Sequence, residues 1–172
     1  MDKKSQSDPG FPAPLSATLL RNPIHFLALG GGAGFVPRAP GTAGSLVGLV
    51  PAWSMLGWPL SWRLMAVAAI VLVGVWVCGE SARRLNVHDH PGIVFDEIAG
   101  VLATALIIVS GSLLELALAF VLFRIFDIVK PWPIRDVDHR LGGGLGIMLD
   151  DLMAAFYAAA CLRVIQIVLL TA

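Results

Sequence analysis

Charge is scarce in this chain: Lys, Arg, Asp and Glu make up 14% of its 172 residues, hydrophobic residues make up 57%, and the formal net charge is zero. That is more apolar than the roughly 45–50% of soluble domains, and with no basic excess no nucleic-acid partner is expected. Cysteine is rarer still. Cys78 and Cys161 lie in or beside apolar segments without CxxC or zinc-type spacing, so neither a disulfide framework nor a thiolate metal site is indicated. There is no internal repeat, no GxxxxGK[ST] phosphate loop and no DxDx[TV] pattern of the common aspartate phosphatases. Residues 1–22 are polar and Pro-rich and lack an apolar stretch of signal-peptide length. They are expected to be a flexible cytosolic tail ahead of a single membrane-embedded domain over 23–172.

What is abundant is apolar sequence in long runs. Mean hydropathy is +0.81, and five apolar stretches lie at about Thr42 to Leu60, Trp62 to Gly79, Ile93 to Ser110, Leu113 to Val129 and Gly146 to Leu170. At ~1.5 Å rise per residue the shorter of these reach ~26 Å, just under a ~30 Å hydrocarbon core. The expected fold is all-α, a polytopic membrane helical bundle of about five helices. Pro51 and two glycines leave the first of them broken, kinked or re-entrant. Short links at Pro59 to Ser61 and Ser110 to Ser112 make hairpins at one end. The long polar links 80–92 and 130–145 fall at the other, together with most Lys and Arg; Arg63 stands alone at the hairpin end and Arg163 deep in the last stretch. The positive-inside rule puts the long links in the cytoplasm.

The acidic residues gather at that same end. Asp96 and Glu97 open the third stretch, Asp127 closes the antiparallel fourth, and Asp150 and Asp151 open the fifth. A charge at mid-bilayer costs ~2.5–3.5 kcal/mol even on lenient insertion scales, so carboxylates inside three helices require a polar partner or a cation. Five carboxylates without histidine or thiol form a hard oxygen set that suits Mg²⁺, Mn²⁺ or Ca²⁺ rather than zinc. The plainer alternative is first-turn acids favoured by helix dipoles. Glu115, a lone acid opening the fourth stretch at the opposite end, serves as the control for it. In FRIFDIVKPWP, residues 123–133, Arg124, Asp127 and Lys130 stand at i, i+3 and i+6 on one helix face, and that stripe is expected to face the acids, Arg124 pairing with one of them.

Three further segments carry candidate chemistry. GGGAGFVPRAPGTAGSL, residues 30–46, combines small residues with Arg38, Thr42 and Ser45, which suits a phosphate cradle as well as it suits a glycine linker. CGESARR, residues 78–84, has the Cys-x5-Arg spacing of thiol phosphatases, although Leu85 follows where those usually have Ser or Thr. His88 and His90, in NVHDHPG, belong to an expected solvated loop that also offers Asp89 as an additional metal ligand.

GFVPRAPGTAGSL, VHDHPGIVFDEIAG, FRIFDIVKPWPIR and GGGLGIMLDD, in this order, resemble the phosphatidylglycerophosphatase A family from about Asn22 to the end of the chain. In that family the enzyme is an integral membrane, Mg²⁺-dependent phosphatase that removes the terminal phosphate of phosphatidylglycerophosphate. The resemblance implies that activity here, with Mg²⁺ as cofactor, a phospholipid substrate presented by the bilayer, and a multi-pass place in the bacterial inner membrane with the site facing the cytoplasm. Its acidic signatures fall on Asp96, Glu97, Asp127, Asp150 and Asp151, and its basic and hydroxyl positions on Arg38, Thr42, Ser45 and Lys130. The acids are thereby assigned to metal and catalysis together with Lys130, and Arg38, Thr42, Ser45 and Lys130 to the substrate phosphate. Two rivals remain, a cation transporter or channel using the same carboxylates and a phosphatase dependent on Cys78.

Overall fold

Several of the helices begin and end at residues that carry the signals to start and stop one. In the computed structural model, which describes residues 15–109, 111–134 and 142–171, the helices are α1 (Pro23–Ala28), α2 (Pro40–Met55), α3 (Leu60–Leu85), α4 (Phe95–Thr104), α5 (Leu113–Val129) and α6 (Gly143–Thr171). Asn22 caps α1 by accepting from the Ile24 amide, with Pro23 in the first turn. Ser112 accepts from the Glu115 amide at 3.1 Å and opens α5. Asn86 ends α3 and Lys130 ends α5 in the left-handed region, the latter just before Pro131. Of the expected tail, residues 1–14 lie outside the described residues, while Ala17–Arg21 form a 3-10 turn capped by Ser16.

Three helices differ from the sequence reading. α2 runs unbroken through Pro51 to Met55, so the expected break is not there. The third stretch yields only the ten residues of α4 and a 3-10 turn over Ala105–Ile107; together they reach ~21 Å, short of a hydrocarbon core. Its sequence is apolar because it is central. Ala99 and Val101 are fully buried, and α4 packs against α2, α3, α5 and α6. Third, α6 begins at Gly143, so Asp150 and Asp151 sit two turns inside it rather than at its start.

Small residues let these helices close on one another. Along α2, Gly44 lies against Val94, and a Cβ at Gly48 would stand 3.1 Å from the Ile98 backbone of α4. Gly74 of α3 faces Met148 of α6 and Gly79 faces Gly144, which fixes α3 and α6 as antiparallel neighbours. Gly100 of α4 lies under the fully buried Phe123 ring of α5. Such close backbone approach is how helices associate where apolar burial supplies no drive between them.

The outer surface is apolar as well. Val50, Leu72, Ile128 and Phe156 each expose about 70% of their surface, more than an ordinary water-facing exterior carries. Among the described residues two helices are long and apolar enough to cross a membrane, Leu60–Leu85 and Gly143–Val168; in the first, only 28% of the apolar window is buried. The starts of α2, α4 and α6 and the ends of α3 and α5 share one end of the bundle, as the contacts of Gly41 with Glu97, Gly79 with Gly144 and Lys130 with Asp150 require.

Candidate active site

The start of α4 is set by a backbone clasp. Gly30, Gly31 and Gly32 have φ of 56°, 65° and 115°, conformations that glycine adopts without strain. They fold residues 30–35 into a tight turn whose Gly32 and Gly34 amides both donate to Leu29 O at 3.0 Å. Gly34 then lies directly on the backbone of Gly92, where any Cβ would collide, and the Val94 amide donates to Ala28 O at 2.8 Å. The glycine block is thus no loose linker, since two of its amides are spent inside the turn. Its effect is to place Asp96 and Glu97.

Those two acids meet α6. Asp96, Glu97 and Asp151 each present a carboxylate oxygen within 4.8 Å of the others, and Asp96 and Asp151 are buried at 8% and 3% exposure. Each also carries one buried oxygen, Asp96 Oδ1, Glu97 Oε2 and Asp151 Oδ2, without a hydrogen-bond partner among the described residues. Ionised together, such neighbours repel by ~3–4 kcal/mol per pair at an effective dielectric of ~20. Simple first-turn acids would point to water instead. All-oxygen donors, buried and converging from two helices, fit a hard divalent cation.

The other two acids are held by cations. Asp127 forms an ion pair with Arg124. Asp150 accepts from Lys130 Nζ at 2.5 Å and, through its other oxygen, from the Asp151 amide at 3.0 Å. The stripe of Arg124, Asp127 and Lys130 therefore does face the acids, and Arg124 pairs with one of them.

Around this group the remaining expected residues separate. Arg38 is exposed and Thr42 half-buried at the start of α2. Ser45 is fully buried; it donates to Gly41 O at 2.8 Å, and Arg124 Nη1 stands 3.5 Å from its oxygen. Gly41 was not singled out by the sequence reading, yet a Cβ there would strike Glu97 Oε1 and press on Arg124 Nη1. Its position as the second residue of a helix beginning PGT was the available signal. Asp89 is exposed beside the group and near enough to Asp96 to act on it electrostatically, without joining the converging three.

The histidine loop is partly closed. His88 is exposed, but His90 is buried, its Nδ1 accepting from the Gly92 amide at 3.0 Å. His25, on the neighbouring α1, shares a 2.9 Å hydrogen bond with Ser81, and burial lowers its pKa. Cys78 is fully buried in the continuous helix α3, and Arg84 is paired with Glu80 at 2.7 Å. An anion loop around that thiol does not exist, which removes the structural basis of the Cys-x5-Arg reading. Arg135 and Arg140 lie outside the described residues.

The family model described as Phosphatidylglycerophosphatase A matches residues 26–166, a range that includes all five acids. The chain is 44% identical over 156 residues to the Phosphatidylglycerophosphatase A of Haemophilus influenzae, covering 89% of this chain and 94% of that protein. It is 40% identical over 145 residues to that of Escherichia coli, covering 83% of each. A Bacteroides thetaiotaomicron protein, provisionally named a phosphatidylinositol-3-phosphatase, is 35% identical over 140 residues, 77% of this chain and 86% of its own length. No solved structure matches.

Proposed function

The chain belongs to the phosphatidylglycerophosphatase A family and is a lipid phosphatase of phosphatidylglycerol synthesis, and from that premise we propose that it uses Mg²⁺ to hydrolyse the terminal phosphomonoester of phosphatidylglycerophosphate. The observation that carries the metal is the convergence of one carboxylate oxygen each from Asp96, Glu97 and Asp151, three acids that also each carry a buried oxygen without a partner among the described residues. Asp96, Glu97 and Asp151 would hold it. Bound there, Mg²⁺ supplies Lewis-acid polarisation of phosphoryl oxygens and lowers the pKa of water.

The chain's own residues supply the rest. Lys130, oriented by Asp150, offers positive charge to the phosphoryl group as charge develops on it. Arg38, exposed at the start of α2, takes the incoming headgroup, and Thr42 with the first-turn amides of that helix adds donors. Ser45 acts through Arg124, which fixes Asp127 beside Asp151. Arg124 is a positioning residue, and Asp127 is left as an acceptor for the proton of the attacking water.

The membrane reading follows from the same arrangement. α3 and α6 cross the bacterial inner membrane, α2 and α5 cross more thinly, α4 stays inside the bundle, and the acids face the cytoplasm, so that the acyl chains of the substrate remain in the bilayer. The transporter reading is weaker, because transporters place such carboxylates near the midplane between repeats, whereas here they crowd one end.

The test is phosphate release from phosphatidylglycerophosphate by the purified protein, with Mg²⁺ and with EDTA, beside phosphatidic acid and phosphatidylinositol-3-phosphate. Release from phosphatidylglycerophosphate that chelation abolishes is expected. Release that ignores EDTA would overturn the metal assignment, and preference for either other lipid would overturn the substrate.

A further inference from the structure

A cavity of about 850 Å³, a volume within the range of ligand pockets, runs along the bundle from Leu152, the neighbour of Asp151 in the chain, to Arg163 at the end away from the acids. Its walls come from three helices and from Leu56 and Trp58 in the turn before α3. α3 contributes only its first turns, including Arg63, and α4 its C-terminal end and the following turn. α6 contributes one face from Leu152 to Arg163, eleven residues or ~16 Å. Because α3 and α6 run antiparallel through Gly74 with Met148 and Gly79 with Gly144, the arginine end of this groove lies at the start of α3. Trp58 and Trp62 are exposed there, as ring systems at a membrane boundary are.

The charge in the groove is of one sign: its lining has two arginines and no carboxylate. Arg63 is committed to the protein, donating to Ile108 O at 3.0 Å and to Ala105 O. Arg163 is exposed and bonds Gln166 Oε1 at 3.2 Å. A membrane-depth arginine beside an apolar slot calls for an anion attached to a hydrocarbon chain. A helix from a second copy of this chain would match less well. Among the described residues Glu115 is the one acid at this end, and its Oε2 is buried.

We propose that this groove binds one anionic phospholipid of the leaflet opposite the acid group, with an acyl chain along α6 and the phosphate on Arg163. Its arginine end is separate from the place of the substrate's headgroup, which has to reach the acids beyond the inner end of the groove at Leu152. The proposal rests on the membrane placement above and not on the metal or the reaction.

The experiment measures retention of dioleoylphosphatidylserine and of dioleoylphosphatidylcholine by delipidated protein in detergent, by native mass spectrometry. Three proteins are compared, wild type, Arg163→Gln and Ala159→Trp, the last filling the slot. Wild type should keep one phosphatidylserine with roughly fivefold preference over phosphatidylcholine. Arg163→Gln should lose the preference, and Ala159→Trp should lose the lipid. Arg163→Gln changes an exposed side chain, so it decides the matter even if Ala159→Trp does not fold. Equal retention and equal preference in all three would show annular lipid only and overturn the proposal. A wild-type dimer that Ala159→Trp makes monomeric, without bound lipid, would overturn it in favour of a second copy. Phosphate release is read on the same preparations and should stay within about twofold throughout. Loss of it in wild type itself would strike the proposed reaction and leave the groove untouched.

Discussion

Asp96, Glu97 and Asp151 converge with one buried oxygen each left without a partner among the described residues, Asp96 and Asp151 being buried and Glu97 half-buried. Asp→Asn and Glu→Gln keep volume and remove the charge a hard cation requires. Asp96→Asn, Glu97→Gln and Asp151→Asn are each expected to lose at least ~100-fold in kcat/KM, ~2.7 kcal/mol of transition-state stabilisation. Glu115→Gln, at the other end, should stay near wild type. Ligand linkage gives a readout independent of turnover. Mg²⁺ at ~100 times its Kd should stabilise wild type by ~2.7 kcal/mol, seen as a raised Tm, and should leave Asp151→Asn unmoved. Gly41→Ala belongs with this set, because its Cβ would displace Glu97 Oε1; activity should drop at least ~10-fold while the metal-free Tm holds. Cys78→Ser should retain activity, since a buried thiol in mid-helix has no route to substrate. A dead Cys78→Ser protein of normal Tm would reverse that assignment.

At the scale of elements, α4 is the short helix on which the site depends, and both its ends are held by other segments. The glycine turn fixes its start through Gly34 and Gly92, and Arg63 of α3 closes its end by donating to the Ala105 and Ile108 carbonyls. Arg63→Met should leave those carbonyls unpaired at a cost of ~1–3 kcal/mol, lowering the Tm in detergent. Initial rates below the melting range should change little, because the acids lie at the far end of α4. Gly144→Leu attacks a different contact, the closest approach of α3 and α6, where any Cβ would strike Val75 O. The helices must part, and destabilisation at or above the ~1–3 kcal/mol of ordinary overpacking is expected. Normal melting of Gly144→Leu would mean that the two helices do not meet as described.

For the whole molecule the question is which surfaces meet water. Single cysteines at Asn86, the exposed cap of α3, and at Ser112, which opens α5, sit at opposite ends of the bundle. In a background with Cys78 and Cys161 replaced, impermeant thiol reagent added to intact cells should reach Ser112→Cys and not Asn86→Cys. Labelling of both would place the two ends on one side and undo the membrane arrangement. The exposed apolar side chains of α2, α3 and α6 are the reason to expect the barrier between them, since water would leave so large an apolar exterior unfavourably hydrated.

The order of the chain by itself determined the helical class and pointed to the candidate acids, because periodicity, caps and the cost of charge in apolar surroundings are local properties. It also carried the stripe of Arg124, Asp127 and Lys130, since residues three apart share a helix face whatever they pack against. Tertiary structure decided what local properties cannot. The third stretch is as apolar as a membrane span, yet it is short and central, and composition does not distinguish burial by protein from burial by lipid. Five carboxylates of one chemical kind became three converging and two paired, with Arg124 on Asp127 and Lys130 on Asp150. Gly41 and Arg63 gained their roles from contacts 56 and 42 to 45 positions away along the chain, with Glu97 and with the Ala105 and Ile108 carbonyls. No pattern read within one helix contains such a separation; it exists only once the helices pack.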